Sequence, residues 1–479
     1  MSDPERSSPP PIAFLAPLPP EPSGVADSSA SLLPRLAERF AVTAFTRDPE
    51  RSAAATRCGL RLLRYRDAST AVPGIAVYQI GNHARHHGEI YRLALARPGI
   101  AVLHEHVVHD LVRDCAYASG GARAFAAELQ YCLGPTGERL AARLRAGGER
   151  LAPHDWPLFE RLVDRSLAVI VHSRAARDRI ARSRPSARVR VVPLLLAPPG
   201  DAAARGAELR RELAIPERAL VVGAFGVAAA TKRLDVALRS FERAFRRRED
   251  VFFLVAGPGS PRFVRERCSP SPDVEARLRL LDRVPLATLE AAMAATDVAL
   301  NLRFPTGGET SDTCLRLLGL GCAVVVSNAG WFAEIPDDCC AKVRPDALEE
   351  PMLDALLGAL AARPELRRAL GENGRRWALA EHAPERVVDG YAQVIAEVAA
   401  ARQEPPRRPP ALTAPHADDV DAELLGEMAA ALGDLGVTEI DGDVLDGVAR
   451  LALGLGIRPR VRGAAAAPPR RREAGPGSA

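Results

Sequence analysis

The chain has 479 residues, of which 47% are hydrophobic and 26% charged, and its net charge is +4. This length exceeds what one hydrophobic core usually serves, so we expect two folded domains with additional segments. The small net charge, with arginines scattered along the chain, argues against a nucleic-acid-binding protein, which concentrates basic charge on one surface. The only lysines are Lys232 and Lys342, which survive either by chance or because each position needs a compact ammonium.

Targeting and redox signals are sparse. No apolar run follows a basic start, and no stretch of about 18 apolar residues occurs, so we expect neither a signal peptide nor a membrane span. The eight cysteines form no C-x-x-C pair and are expected to be buried, reduced thiols. The sequence therefore predicts a soluble cytoplasmic protein, for which peripheral contact with the inner face of a membrane stays open.

Short apolar runs alternate with helical patterns through the first two hundred residues. The runs that read as strands are residues 12–16, 41–46, 74–80, 100–104, 168–172 and 189–196. Alternation of this kind predicts a parallel sheet with helices on both faces.

The alternation pauses at the Pro-, Gly- and Ala-rich residues 197–205 and then restarts as a second α/β unit. The second unit is predicted to have strands at residues 219–225, 251–256, 298–302 and 323–327, and helices at 234–247 and 314–320. Two such units joined by a short linker form a cleft, and ligands of open α/β sheets bind at the carboxyl ends of the strands.

These patterns divide the chain into seven segments. They are a disordered leader at 1–10, a first Rossmann-like domain at 11–200, a second at 201–383, a crossover helix at 384–402, a Pro-rich linker at 403–415, a small acidic helical module at 416–460 and a disordered tail at 461–479. Hinges between the two domains are expected near 197–205 and just after 383.

A glycine-rich turn at residues 301–311 carries the strongest chemical signal, because it follows an apolar strand and precedes a helix. Gly308 lets backbone amides approach a ligand, and Thr310 or Ser311 can cap the helix, whose N-terminus attracts anions. Glu309 at its mouth can accept hydrogen bonds from sugar hydroxyls. The alternative is an ordinary glycine turn with a capping residue.

Three further turns resemble the first in placing glycine at a strand end. Gly226 is followed by Lys232 and Arg233 at a helix start, which suits a diphosphate. Gly24 lies at the first strand–helix junction, and Gly257 ends another strand. Four such turns on two α/β units indicate one cleft that binds a phosphorylated ligand.

The spacing of His104, His106, His109 and Asp110 is similar to the H-x-H-x-D-H motif of binuclear metallohydrolases. Val108 stands where that motif has an aspartate, and the strand–helix alternation does not suit that fold. We therefore expect no metal site, and interpret these residues as a strand end with one imidazole facing the cleft and at least one capping histidine.

Taken together and in order, these motifs resemble those of the group 1, or family 4, retaining glycosyltransferases with the GT-B fold. The resemblance covers about residues 11–400. It rests on the segments 17–27, 78–82, 102–104, 231–235, 301–306, 308–311 and 326–334.

The resemblance implies an α/β fold of two Rossmann-like domains facing a cleft, here with a small C-terminal helical appendage. It implies transfer of a sugar from a nucleotide-sugar donor to a glycan, lipid-linked or small-molecule acceptor, without a metal or other cofactor and without a nucleic-acid partner. The residues implied to be catalytic are His104, His109 and Glu309, and those implied to bind the donor are Gly24, Gly226, Lys232, Arg233, Gly257, Gly308, Thr310 and Ser311.

Two residues depart from the family pattern. Val227 follows Gly226 where the family has an arginine, for which Arg233 is a candidate substitute, and Leu317 stands where the family has a second glutamate. These departures leave two alternatives open: a degenerate GT-B protein that binds a nucleotide sugar or glycan without turnover, and a nucleotide-sugar epimerase.

Overall fold

The structure is a computed structural model that describes residues 9–56, 59–69, 74–147, 151–197 and 200–403. Most of the predicted leader and linker, and all of the predicted acidic module and tail, lie outside the described residues. The chain divides into two compact units, one containing residues 1–128 and 150–406 and the other containing residues 129–149 and 407–479.

The first sheet has seven parallel strands in the order β3-β2-β1-β4-β5-β6-β7. Its strands are β1 (Pro11–Leu15), β2 (Ala41–Thr46), β3 (Arg61–Arg64), β4 (Ile75–Ile80), β5 (Ile100–Leu103), β6 (Ala168–Val171) and β7 (Val189–Val191). The helices along this part of the chain are α1 (Gly24–Ala37), α2 (Pro49–Thr56), α3 (Ala84–Ala96), α4 (His109–Leu133), α5 (Pro135–Arg145), α6 (Glu160–Arg165) and α7 (Arg174–Ser183).

The second sheet has six parallel strands in the order β10-β9-β8-β11-β12-β13. Its strands are β8 (Leu220–Phe225), β9 (Val251–Ala256), β10 (Leu278–Leu281), β11 (Val298–Asn301), β12 (Ala323–Ser327) and β13 (Ala341–Val343). The helices here are α8 (Ala202–Glu212), α9 (Leu234–Ala244), α10 (Ser260–Phe263), α11 (Pro272–Arg277), α12 (Leu286–Ala294), α13 (Asp312–Gly319), α14 (Glu349–Ala362), α15 (Pro364–Glu381) and α16 (Pro384–Gln403).

Each sheet is sandwiched between helices because its central strands are apolar on both faces. All six residues of β4 and all six of β9 are buried. Leu33 of α1 packs on one face of the first sheet, Phe241 of α9 and Leu357 of α14 pack on one face of the second, and Leu315 of α13 packs on the other. The near-continuous apolar runs that predicted a parallel sheet follow from this two-sided burial.

The last described helix returns to the first sheet. α15 ends near His382, whose ring hydrogen-bonds through Nδ1 to the carbonyl of Leu194 at 2.7 Å. After this turn α16 packs Val388, Tyr391 and Ile395 into the core beneath the first sheet. The two domains of this unit are therefore joined by two chain crossings.

Three edge strands, β3, β10 and β13, are absent from the sequence-based prediction. β3 begins and ends with Arg61 and Arg64, β10 contains Arg279, and β13 contains Lys342. An edge strand has one open side and tolerates charged side chains, so it lacks the apolar run by which central strands are recognised.

The described part of the second unit, residues 129–147, holds the end of α4 and all of α5. Within it, the Gln130 amide donates a hydrogen bond to Glu138 at 2.6 Å. In both units, the cysteines among the described residues are free thiols, and only Cys268 is not fully buried. No helix in the described ranges combines the length and apolarity needed to cross a bilayer.

Candidate functional site

The carboxyl ends of the two sheets face each other through two loops. The loop after β5 begins at His104, and the loop after β11 runs from Leu302 to Ser311. The backbone amides of His106 and Val107 donate hydrogen bonds to the carbonyl of Gly307 at 2.9 and 3.2 Å. Ligands of open parallel sheets bind at such edges, so side chains on these loops form the candidate site.

Two glutamates flank Gly307 at this meeting point. Glu105 accepts a hydrogen bond from the backbone amide of Asn82 at 2.9 Å. Glu309 accepts one from the Gly307 amide at 2.8 Å, and its other oxygen pairs with Arg303 at 3.0 Å. Burial raises the pKa of Glu105 to about 7, and the negative charge of Glu309 adds to the rise.

Lys232 is a second basic group of the second domain whose charge interacts with Glu309, after the directly paired Arg303. Its ammonium donates a hydrogen bond to the carbonyl of Phe225 at 3.2 Å and lies against Gly226, which has φ +102°. A Cβ at Gly226 would overlap the ammonium. Burial lowers the pKa of Lys232 to about 7, Arg303 lowers it further, and Glu309 opposes the fall. Two basic side chains, Lys232 and Arg303, thus lie near Glu309, the carboxylate that forms an ion pair with Arg303.

We expect Glu105→Gln to change how stability depends on pH. Because the pKa of Glu105 is higher in the folded chain than in the unfolded one, the folded state holds the proton more tightly. Stability is therefore lost as the pH rises from about 4.5 to about 7, by about 3 kcal/mol. The neutral amide removes this loss, so the variant should unfold at a higher temperature than the parent at pH 8.

At pH 5 the parent and Glu105→Gln should unfold at similar temperatures. The exposed Glu38, which pairs with Arg35, supplies the matched control, Glu38→Gln. Melting curves of the variant and the parent that run parallel from pH 5 to pH 8 would contradict the assignment of a buried, protonated Glu105.

Of the three histidines at positions 104, 106 and 109, two have hydrogen-bond partners, and the Nδ1 of His106 is buried with none among the described residues. His104 hydrogen-bonds through Nε2 to Gln79 at 2.7 Å, and burial with the nearby His172 lowers its pKa well below the usual range. His109 is buried at the start of α4, with Nδ1 hydrogen-bonded to the carbonyl of Trp156 at 2.7 Å. Of these rings, His104 belongs to the strand end that faces the second domain, and His109 supports the start of a helix. Among the described residues no group of three His, Cys, Asp or Glu has metal-binding geometry.

Gly308 is required by the approach of His106. It has φ +81°, and a Cβ there would overlap the imidazole of His106. We expect Gly308→Ala to destabilise the protein by about 1–3 kcal/mol, because the residue is strained and the two loops must separate. The measurement is the midpoint of thermal unfolding, and the control is Gly24→Ala, since a Cβ at Gly24 meets no atom within 4 Å.

The double variant His106→Ala/Gly308→Ala separates the two costs. Removing the ring relieves the overlap and leaves only the backbone strain, so the double variant should be less destabilised than the sum of the single variants. Additive effects would mean that the loops do not meet in solution as they do here.

The remaining predicted donor residues fall into different roles. Gly257 packs against the carbonyl of Gly226, so it shapes the same turn as Lys232. Arg233 is turned away from that turn and pairs with the buried Glu349. It therefore does not take the place of the arginine that Val227 replaces. Gly24 is exposed in the first turn of α1.

Thr310 and Ser311 are both buried and both hydrogen-bonded within the protein. Thr310 donates to the carbonyl of His172 at 3.1 Å, which adds a further contact between the two domains. Ser311 caps α13 by accepting from the Cys314 amide at 3.2 Å, the capping role that the sequence predicts. Their side chains hold the loop in place, and the backbone amides at the helix start remain the groups that would meet an anion.

The face of α13 near the first domain carries Arg316, while Leu317 is fully buried in the core. Arg316 pairs with Glu290 at 2.6 Å and with Asp312 at 2.8 Å. Burial raises the pKa of Asp27 on α1 to about 6, the charge of Asp312 adds to this, and Arg316 opposes it. Leu317 faces the core and the adjacent Arg316 is held by two carboxylates, so neither residue supplies the carboxylate that the family has at position 317.

Sequence reasoning missed Glu105 and Arg303. Glu105 stands between His104 and His106, and its carboxylate gives no signal in the sequence because only the fold brings Glu309 beside it. Arg303 lies inside the glycine-rich segment that was singled out, two residues after the end of β11, and that position was the available clue.

No protein-family model matches the chain. No curated protein matches it either. Solved structures do. HepE from Anabaena, in complex with UDP and glucose, has 13% sequence identity and a TM-score of 0.55, over 81% of this chain and 100% of that one. Sucrose-phosphate synthase from Thermosynechococcus elongatus has 15% identity and a TM-score of 0.55, over 82% and 100%. A glycosyltransferase from Rickettsia africae has 10% identity and a TM-score of 0.53, over 81% and 99%. These likenesses confirm the predicted fold: two Rossmann-like domains in the GT-B arrangement.

Proposed function

We propose that this protein is a glycosyltransferase that moves a sugar from a nucleotide-sugar donor to an acceptor, without a metal and with retention of configuration. The observation that carries the proposal is the cluster of Lys232, Arg303, Glu309 and Glu105, which we call the cleft cluster. It lies where the carboxyl ends of two Rossmann-like sheets meet, and it combines two cations with two carboxyl groups.

The cations suit the charge that develops on a leaving nucleoside diphosphate. Burial lowers the pKa of Lys232 and the positive Arg303 lowers it further, so an incoming anion favours the charged ammonium. Fixed cations aimed at a leaving group stabilise it without reorganisation during the reaction. Glu309 holds Arg303 in position by an ion pair at 3.0 Å.

The carboxyl groups and His104 suit the sugar and the acceptor. Glu105 has a pKa of about 7, so near neutral pH it can donate as well as accept a hydrogen bond. His104 is held in one tautomer by its bond to Gln79, in which Nε2 donates to the amide oxygen. Retention and independence of metal come from the resemblance to family 4; the cationic pair supports the latter because it supplies the positive charge that a metal supplies elsewhere.

UDP-glucose is the first donor to test, because HepE was solved with UDP and with UDP-glucose. In this conformation the cavity between Gly226 and Lys232 is about 20 Å³, about the size of one water molecule. The residues that line this cavity all belong to the second domain, so a diphosphate beside Lys232 requires the turn after β8 to rearrange.

The test is a thermal-shift screen of the full chain against UDP-, GDP- and ADP-sugars, followed by an assay of free nucleotide released with each stabilising donor. Stabilisation by one donor together with nucleotide release supports the proposal. The anomeric configuration of any transferred sugar, read by NMR, tests retention, and activity in the presence of EDTA tests independence of metal. Stabilisation by no donor contradicts the proposal.

A second function, donor binding without turnover, is favoured by two observations. Val227, which replaces the family's arginine, is 57% exposed, and Leu317 is buried in the core, so neither supplies a polar group to a donor. This alternative predicts stabilisation by a donor with no nucleotide release across an acceptor panel. Release of free nucleotide from the donor, with water or with any acceptor, would overturn this alternative.

A further inference from the structure

A separate cavity of about 420 Å³ opens on the first domain, at the carboxyl ends of β1, β2 and β3 and the start of α3. We call it the arginine pocket. Small-molecule sites usually fall between about 300 and 1,000 Å³. Four arginines line it, and Glu21 and Asp48 are its carboxylates. Its arginines are Arg47, Arg51, Arg64 and Arg85.

The backbone of the pocket holds two of these guanidinium groups in place. Arg47 donates a hydrogen bond to the carbonyl of Arg85, and Arg64 donates to the carbonyl of Arg47 at 3.3 Å. A guanidinium has five N–H donors, so each of these contacts leaves several donors unused. Arg47 and Arg64 are therefore already oriented before a ligand arrives, while the exposed Arg51 and Arg85 are free to turn toward it.

The charges of the pocket are unbalanced. Asp48 accepts a hydrogen bond from the backbone amide of Arg51 in the first turn of α2, and Glu21 pairs with His86 at 2.8 Å. Arg64 pairs with Glu50 at 3.1 Å. The other three arginines form no ion pair with a described residue. Those three are Arg47, Arg51 and Arg85.

A buried carboxylate oxygen lies in the wall of the pocket. One oxygen of Glu21 pairs with His86, and the other is buried without a hydrogen-bond partner among the described residues. Nearby, burial and the Glu21 carboxylate raise the pKa of Tyr65 well above its usual value, and a hydrogen bond to the Thr46 side chain opposes the rise. Buried polar atoms are normally satisfied, so the free Glu21 oxygen is suited to accept a hydrogen bond from a ligand hydroxyl.

The pocket is connected to the cleft cluster by one loop. Asn82, in the loop after β4, donates from its backbone to Glu105, and Arg85 and His86 lie in the first turn of α3, directly after that loop. A ligand in the pocket therefore lies on the first domain at the same sheet edge as the cleft cluster. We propose that the arginine pocket binds a phosphate group carried by the acceptor sugar; its role as an acceptor site rests on the proposed function.

Phosphate fits the pocket better than a carboxylate does. A phosphate monoester has up to two negative charges and three strong acceptor oxygens, against one charge and two oxygens for a carboxylate. The three guanidinium groups without ion pairs match the three acceptor oxygens of a phosphate. A lone carboxylate would leave two of the three guanidinium charges uncompensated, whereas a phosphate dianion leaves one.

The test is calorimetric titration of the full chain with glucose 6-phosphate, inorganic phosphate, glucuronate and glucose, without donor. We expect glucose 6-phosphate to bind at least about tenfold more tightly than glucuronate or glucose, and inorganic phosphate to compete with it. Arg51→Gln should weaken binding of glucose 6-phosphate about tenfold, and Arg47→Gln/Arg51→Gln/Arg85→Gln should abolish it. Equal affinity for glucose, equal affinity for glucuronate, or unchanged affinity in the triple variant would overturn the proposal.

Two controls separate this proposal from the proposed function. Arg35→Gln changes an exposed arginine that pairs with Glu38 outside the pocket, and it should leave binding unchanged. Titration of the same protein samples with UDP reports the donor side alone. If UDP binds and glucose 6-phosphate does not, the pocket assignment is wrong and the transferase assignment stands. If glucose 6-phosphate binds and UDP does not, the donor-site assignment is wrong and the phosphate pocket stands.

Discussion

Lys232→Ala is expected to lower kcat/KM for the donor about 100-fold or more, through weaker binding of the diphosphate and loss of charge stabilisation as it leaves. The ammonium lies against Gly226 with Arg303 nearby, so it occupies the place where the diphosphate charge would fall. The measurement is steady-state release of UDP from UDP-glucose, together with the thermal shift produced by UDP.

Protonation offers an independent measure of the same contact. Lys232 has a pKa of about 7, so at pH 8 most of it is neutral in the free protein. An arriving diphosphate favours the charged form and raises that pKa, so binding should take up nearly one proton at pH 8. Titration with UDP in two buffers of different ionisation enthalpy measures this uptake, which should disappear in Lys232→Ala.

The other lysine supplies a matched control. Lys342 donates to the carbonyl of Ala333 at 3.1 Å and pairs with Asp337 at 2.7 Å, remote in its contacts from the cleft cluster. Lys342→Ala should therefore retain donor turnover and proton uptake. Full activity in Lys232→Ala, or equal losses in the two variants, would rule out the role assigned to Lys232.

The sequence predicted the fold from its buried strands. β2, β9 and β12 lie within the predicted bounds because each is apolar on both faces and ends in a turn. The short edge strands β3 and β13 were not predicted, since charged residues interrupt them. Central strands are specified by burial that a local window can detect, whereas edge strands depend on a neighbour that only the fold provides.

The candidate site was predicted where backbone geometry specifies it. Glycine at a strand end pointed to the turn at Gly226 and to the loop at Gly308, and both have positive φ in the structure. The direction of a long side chain was not predictable. Arg233 sits beside Lys232 in sequence, yet it turns to Glu349, 116 residues along the chain.

The electrostatic interaction between Glu105 and Glu309 could not be predicted from the sequence either. Glu105 and Glu309 come from different domains, and each acquires its environment only when the two loops meet. The raised pKa of Glu105 depends on burial by the facing loop and on the charge of Glu309. The spacing of residues within either domain predicts neither the burial of Glu105 nor its approach to Glu309.

Glu309→Gln is expected to lower turnover about 100-fold, because it removes the counter-charge of the cationic pair. Glu309 pairs with Arg303 at 3.0 Å and raises the pKa of Lys232. Without it, Arg303 loses its ion pair and Lys232 becomes harder to protonate. Breaking one partner of a partly buried charge pair costs several kcal/mol in related systems, so a large effect on the ordered donor complex follows.

The pH dependence distinguishes this role from general damage to the loop. The negative charge of Glu309 contributes to the raised pKa of Glu105, so the neutral amide should move the pKa of Glu105 downward from about 7. The loss of stability with rising pH that Glu105 causes should therefore be complete at a lower pH in Glu309→Gln and be absent in Glu105→Gln, as measured by thermal unfolding. A stability profile that keeps its shape while only its height falls would mean that the two carboxyl groups are not coupled, and that Glu309 acts through the loop alone.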